Sequence, residues 1–112
     1  GNSAIHQFVR IGKYSMIGGM SGVEKDIIPY GLYIGIRENL KGINLIGLKR
    51  KGLETSTINK INDTIKKIFN SNGTILNNIK NIEFENEFTE INEIIEFIKK
   101  NTKRGLCILE NE

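Results

Sequence analysis

Ile5, Ile11, Ile17 and Val23 recur at six-residue intervals, and Val9, Ser15, Ser21 and Ile27 follow them by four. Gly12 and Gly18 come directly after two of the aliphatic positions. This is the pattern of a parallel β-helix built from hexapeptides. Each hexad forms one flat face of a prism. The aliphatic residue points inward and stacks on its equivalents in neighbouring coils. The interior is narrow, so the second inward position is small or β-branched, and Gly near a corner permits the turn. One coil needs three faces, so four hexads hold little more than one coil. A solenoid that short cannot bury its own core, and further coils are expected upstream of Gly1. Pro29, which lacks a ladder donor, is expected to end the pattern.

The pattern then changes. Leu32 and Ile34 alternate with Tyr33 and Gly35, which predicts a short strand at best. Ile43 to Lys51 reads as a short helix stopped by Gly52. Three longer helices are predicted. Thr55 or Ser56 caps one carrying Ile58, Ile61, Ile65, Ile68 and Phe69 at helical spacing. Asn72-Gly73 ends it. Thr74 caps the next, with Ile75, Leu76, Ile79 and Ile82. Thr89 caps the last, with Ile91, Ile94, Ile95 and Ile98, where Glu90, Glu93, Lys99 and Lys100 suit the helix dipole. The apolar tail from Leu106 to Leu109 is expected to dock. The fold class is therefore mixed, with β-helix coils over residues 1–30 and a small α-helical domain over 31–112.

Composition narrows the function classes. The chain has 112 residues, 38% hydrophobic and 26% charged, a globular rather than disordered profile. The longest nearly apolar stretch, Ile27 to Ile36, is far too short to span a membrane. Cys107 is the only cysteine, which excludes an internal disulfide and points weakly to a reducing cytoplasm. Residues 1–52 carry eight Lys/Arg against three acids, a balance of +5 within the total of +3. An anionic ligand or acidic partner would be drawn to that half. Nucleic acid is not expected, because there is neither a long basic helix nor an aromatic platform.

Few residues suggest chemistry. His6, the only histidine, should point outward beside Gln7, and spacing alone favours a solvated surface residue. Lys49-Arg50-Lys51 either complements a helix C-terminus or clamps a phosphate. Gly18-Gly19-Met20-Ser21-Gly22 lacks the Lys-Ser/Thr ending of a phosphate loop and lies within the hexads. The series Glu83, Glu85, Glu87 reads as a solvated face. No metal-ligand cluster and no cofactor is expected.

Four strings carry a more specific signal: Ala4-Ile5-His6-Gln7-Phe8, Ile17 to Val23, Pro29-Tyr30, and Gly42 to Gly52 with its Asn-x-x-Gly-Leu-Lys-Arg-x-Gly core. With the closing Thr102-Lys103-Arg104-Gly105-Leu106, they make the chain similar, in order and spacing, to the UDP-N-acetylglucosamine O-acyltransferases. The resemblance covers essentially the whole chain. It implies a left-handed β-helix, a C-terminal helical domain and a cytoplasmic homotrimer. It also implies transfer of a 3-hydroxyacyl group from acyl carrier protein to the 3-hydroxyl of UDP-N-acetylglucosamine, opening lipid A biosynthesis. The acyl donor is carrier-linked, so no separate cofactor is implied.

In that family a His acts as general base and a backbone N–H receives the oxyanion, both in coils upstream of residue 1. No residue here is therefore assigned a catalytic role. The resemblance matches His6 and Gln7 to the nucleotide-sugar cleft, and Asn44, Arg50 and Lys51 to positions reaching the nucleotide. It matches Gly19 to the floor of the acyl groove. The chain departs from the pattern at three places: Ile46 where an acid is common, Lys51 for a frequent Arg, and Arg37 where a smaller or aromatic polar residue is usual. Two alternatives stand beside this reading. One is a non-catalytic trimer scaffold that docks the carrier protein. The other is a different hexapeptide acyltransferase.

Overall fold

The computed structural model describes residues 3–83, 88–100 and 104–110. Glu85, Glu87, Thr102 and Lys103 of the strings above lie outside the described residues.

The hexads pair as parallel rungs. Strand β1 (Ala4–Ile5) pairs with β3 (Gly22–Val23) in the register Ile5 to Val23. That offset is eighteen positions, which is three hexads. Strand β2 (Met16–Ile17) pairs in parallel with β4 (Gly31–Tyr33), bringing Ile17 to Tyr33, and a parallel bridge joins Ile11 to Ile27. The bridge from Gly22 to Ile36 is shorter still. The coil thus tightens as the hexad pattern fades.

Burial of the aliphatic series is graded. Val23 is fully buried, and Ile11 and Ile17 pack partly buried against the core. Ile5 is half-exposed, because it stacks on Val23 from one side only. Of the second inward positions, Ser21 and Ile27 are buried, and the Ser21 hydroxyl accepts the Gly35 N–H at 3.0 Å.

One reading needs correction here. Parallel pairing does not stop at Pro29 but continues into β4. Pro29 lies against Gly12, where a Cβ would stand 2.2 Å from the proline nitrogen. The residue is a close-packing point between rungs. The short strand predicted there is β4, and its inward side chain is Tyr33. Its register on Ile17 turns it inward, and its hydroxyl donates to Gly22 O at 2.8 Å.

Strand β5 (Gly42–Ile43) reverses direction and pairs antiparallel with β4. Helix α1 (Leu45–Arg50) is shorter than its sequence predicts, since Ile43 belongs to β5 and Asn44 is the cap. Helix α2 (Thr55–Asn70) buries Ile58, Ile61, Ile65 and Ile68, the predicted stripe. Its N-cap is Glu54, without a side-chain bond, rather than Thr55 or Ser56. Helix α3 (Ile75–Glu83) is capped as predicted, Thr74 Oγ1 accepting from Asn77 N at 3.2 Å, but Leu76 is exposed. Buried Asn78 in α3 donates to Ile68 O at 3.0 Å, satisfying a carbonyl at the end of α2. Helix α4 (Thr89–Lys99) buries Ile91, Ile94 and Ile95 and starts after Phe88.

The tail docks by backbone pairing as well as side chains. Leu106 bridges Asp26 and Leu109 bridges Leu40, both in parallel, while Cys107 and Leu109 are buried. Cys107 is a core residue, and burial pushes its thiol pKa up.

Candidate functional site

Asn44 heads the segment that the sequence singled out. Its Oδ1 accepts from Gly47 N at 3.0 Å, and its Nδ2 donates to Tyr14 O at 2.8 Å. The side chain therefore caps α1 and ties it to a coil corner. A Cβ at position 47 would lie 2.4 Å from Asn44 Nδ2, so the cap requires Gly47. This gives the Asn-x-x-Gly half of the block a physical reason.

The three cations that follow have different surroundings. Lys51 Nζ donates to Glu90 Oε2 at 2.7 Å and lies 3.3 Å from the Tyr30 hydroxyl. The hydrogen bond to Glu90 raises the Lys51 pKa against the opposing effect of burial. Burial pushes Glu90 up, but the bond from Lys51 outweighs it and the net shift is downward. Glu90 is thus a buried partner in an ion pair, beyond any role at the helix dipole. Tyr30 OH also donates to Glu93 Oε1 at 2.6 Å, and Lys13 pairs with Glu93. Lys49 and Arg50 differ from Lys51. Both are exposed, and neither side chain has an ion pair or hydrogen bond among the described residues.

The basic balance of the first half is largely internal. Arg10 pairs with Asp26, Lys41 with Glu38 and Glu110, and Arg37 with Glu24. Of the eight cations, Lys25, Lys49 and Arg50 are left without an ion pair among the described residues.

His6 and Gln7 are exposed on the first rung, as outward residues. The parallel register sets Glu24 beside His6, with Nε2 to Oε1 at 3.7 Å, and Arg37 Nε reaches the same oxygen at 3.5 Å. Gly19 is exposed, and an added Cβ would meet nothing within 4 Å. Sequence reasoning missed Tyr14, which joins Asn44 and Lys51. Its ring stacks on the buried Tyr30 ring, centroids 5.6 Å apart and planes 4° apart. Lys51 Nζ lies 5.6 Å from the Tyr14 centroid.

Residues 26–107 match the family model described as Udp N-acetylglucosamine O-acyltransferase, Domain 2. The chain belongs to the UDP-N-acetylglucosamine O-acyltransferase family. It is similar to acyl-[acyl-carrier-protein]–UDP-N-acetylglucosamine O-acyltransferases from Sinorhizobium medicae, 40% identical over 107 residues, and Bartonella henselae, 34% over 108. These alignments cover 95% and 96% of this chain but 40% and 39% of the relatives. Its structure resembles the UDP-N-acetylglucosamine acyltransferase from Campylobacter jejuni, with TM-score 0.85 at 30% identity, over 96% of this chain and 42% of that one. The Arabidopsis UDP-N-acetylglucosamine acyltransferase gives TM-score 0.82 at 30% identity, over 94% and 40%. The chain thus spans about two-fifths of the length of these family members.

Proposed function

We propose that the chain is the C-terminal portion of an enzyme acylating UDP-N-acetylglucosamine at its 3-hydroxyl from 3-hydroxyacyl carrier protein, opening lipid A biosynthesis. The observation carrying this reading is the family match over residues 26–107, which contains the Asn44 to Gly52 block. That block is a capped helix ending on an exposed Arg50 whose side chain is unengaged among the described residues. A guanidinium so placed suits the diphosphate of a sugar nucleotide.

In this reading the stacked rungs are the last coils of a left-handed β-helix, followed by a C-terminal helical domain over 31–112. The enzyme works as a cytoplasmic homotrimer. The sugar hydroxyl oxygen bonds to the acyl carbonyl carbon as the bond to the carrier thiol breaks. A base takes the hydroxyl proton, and the departing sulfur is reprotonated. The general base belongs to the part of the relatives' length that this chain does not span, and His6 is not assigned that role. His6 and Gln7 line the sugar cleft, Arg50 binds the diphosphate, and Gly19 floors the acyl groove. Asn44 and Lys51 contribute to the nucleotide site from the positions their internal bonds give them.

The test is acyl transfer by the full-length protein from 3-hydroxyacyl carrier protein to UDP-N-acetylglucosamine, with the product identified by mass. A folded full-length protein that forms no acylated sugar nucleotide overturns the proposal. The 112-residue chain alone is expected to show no turnover.

A further inference from the structure

Phe8, Tyr14 and Met20 occupy successive coil corners, six residues apart, with φ of 68°, 55° and 61°. All three are more than half exposed. Corner geometry therefore explains the backbone of Tyr14, and its exposure by itself means little. What separates Tyr14 from the other two is what surrounds it. Its carbonyl is held by Asn44 Nδ2 at 2.8 Å. One face of its ring rests on Tyr30, which is fully buried and fixed by its own hydrogen bond to Glu93. Lys51 Nζ stands within 5.6 Å of both ring centroids. Two of the three residues matched to the nucleotide thus contact this one tyrosine.

Those same two residues have their polar groups engaged inside the chain. Asn44 uses its Oδ1 on Gly47 and its Nδ2 on Tyr14. Lys51 gives its strongest bond to Glu90. The phosphates have Arg50, but the base has no comparable open hydrogen-bonding group among these residues. A planar base can instead bind by its π-face. A stacking surface must be rigid, partly exposed and beside the phosphate site. Tyr14 is 54% exposed, backed by a buried ring and joined to both ends of α1 through Asn44 and Lys51. We propose that Tyr14 is the stacking platform for the pyrimidine base of the sugar nucleotide. The inference rests on the proposed function and adds a residue to its substrate site.

The experiment uses the full-length protein and calorimetry with two probes, UDP and inorganic pyrophosphate. Tyr14→Asn removes the ring while keeping a residue type that tolerates positive φ. It should weaken UDP binding about tenfold or more and leave pyrophosphate binding unchanged, since stacking acts on the base alone. Tyr14→Phe should bind both probes as the wild type does. Tyr14→Trp keeps a platform, and its fluorescence should change on adding UDP but not pyrophosphate. The Trp variant holds the test open should Tyr14→Asn fold poorly. Wild-type UDP affinity in a folded Tyr14→Asn protein overturns the platform alone. So does an equal loss for both probes, or a Trp signal indifferent to UDP. A wild-type protein that binds no UDP removes the functional reading itself and the platform with it.

Discussion

Asp26 and Arg10 meet in the wall of the coil with Oδ2 accepting from Nε at 2.9 Å, and the aspartate side chain is fully buried. Its other oxygen accepts the Arg10 backbone N–H at 2.8 Å. Arg10 then reaches α4, donating to Phe97 O at 3.1 Å and lying 4.1 Å from the Phe97 ring centroid. The Asp26 backbone meanwhile pairs with Gly105 and Cys107 of the tail. One residue pair therefore joins the rungs, the last helix and the docked tail.

Removing one member of a buried pair leaves the other charge without compensation, at a cost of about 3–5 kcal/mol. Arg10→Met, which strands the fully buried Asp26 carboxylate, should lower the melting temperature of the protein accordingly. The double variant Arg10→Met/Asp26→Leu should be less destabilised than Arg10→Met alone, since no stranded charge remains. A single variant within about 1 kcal/mol of wild type would remove the pair from this role.

Gly12 and Gly19 should respond very differently to an added methyl. At Gly12 the new Cβ would stand 2.2 Å from Pro29 N and 2.7 Å from Ile28 C, both backbone atoms that cannot rotate away. Gly12→Ala must spread two rungs and should cost about 1–3 kcal/mol or more. Gly19→Ala meets open space and should change stability by less than about 0.5 kcal/mol. Gly19→Met should keep the fold while altering acyl-donor length preference in the full-length enzyme. Thermal melts separate the first two variants, and a donor series tests the third. Equal melting temperatures for the two alanine variants would refute the close-packing account.

The difference between these glycines marks what the sequence could and could not tell. The six-residue period carried the rungs, because inward stacking fixes residue size at fixed intervals. Helical spacing carried α2, α3 and α4, whose isoleucines all face one way. The Asp26–Arg10 pair had no such signal. Sixteen positions separate the partners, and only the coil register brings them together. Tyr14 was hidden for the same reason: its neighbours Tyr30, and Asn44 and Lys51 at the two ends of α1, come from segments far along the chain. The internal pairing of Lys51 was hidden because its partner Glu90 lies in a helix whose docking the local sequence does not encode. The caps at Glu54 and Phe88 were missed because no side-chain bond marks them.

The Lys51–Glu90 pair makes stability depend on pH at both ends of the scale. Glu90 is depressed in the folded state, so its contribution is present above the ordinary carboxyl value of 4.5 and is lost as pH falls through the lower folded value. Lys51 is raised, so its contribution is whole below 10.5 and is lost as pH climbs through the higher folded value. Between those limits the pair contributes on the order of 1 kcal/mol, given partial exposure of the lysine. Melting temperatures of wild type and Glu90→Gln, measured from pH 3 to pH 8, should converge at acid pH and separate above about pH 5. Parallel curves across that range would show that the pair contributes nothing to the acid transition.

Arg50 closes α1, and two accounts of it make different numerical demands. As a cation complementing a helix C-terminus it contributes about 0.3–1 kcal/mol to stability and nothing to binding. As a clamp on phosphate oxygens it makes charge-assisted hydrogen bonds worth about 1.5–3 kcal/mol each. The structure favours the clamp in one respect, because Lys49 stands beside Arg50 in the same last turn and already complements the helix end. Lys51 cannot substitute for Arg50, since Glu90 holds its ammonium. In the full-length protein, Arg50→Ala should weaken UDP-N-acetylglucosamine affinity about tenfold or more, since 1.4 kcal/mol is one decade. Its melting temperature should stay close to that of the wild type. Arg50→Lys keeps the charge but loses the paired geometry, and should recover only part of the affinity. Calorimetry with both variants decides between the accounts. Unchanged substrate affinity with lowered stability would leave Arg50 as a helix-end cation and return the nucleotide to other residues.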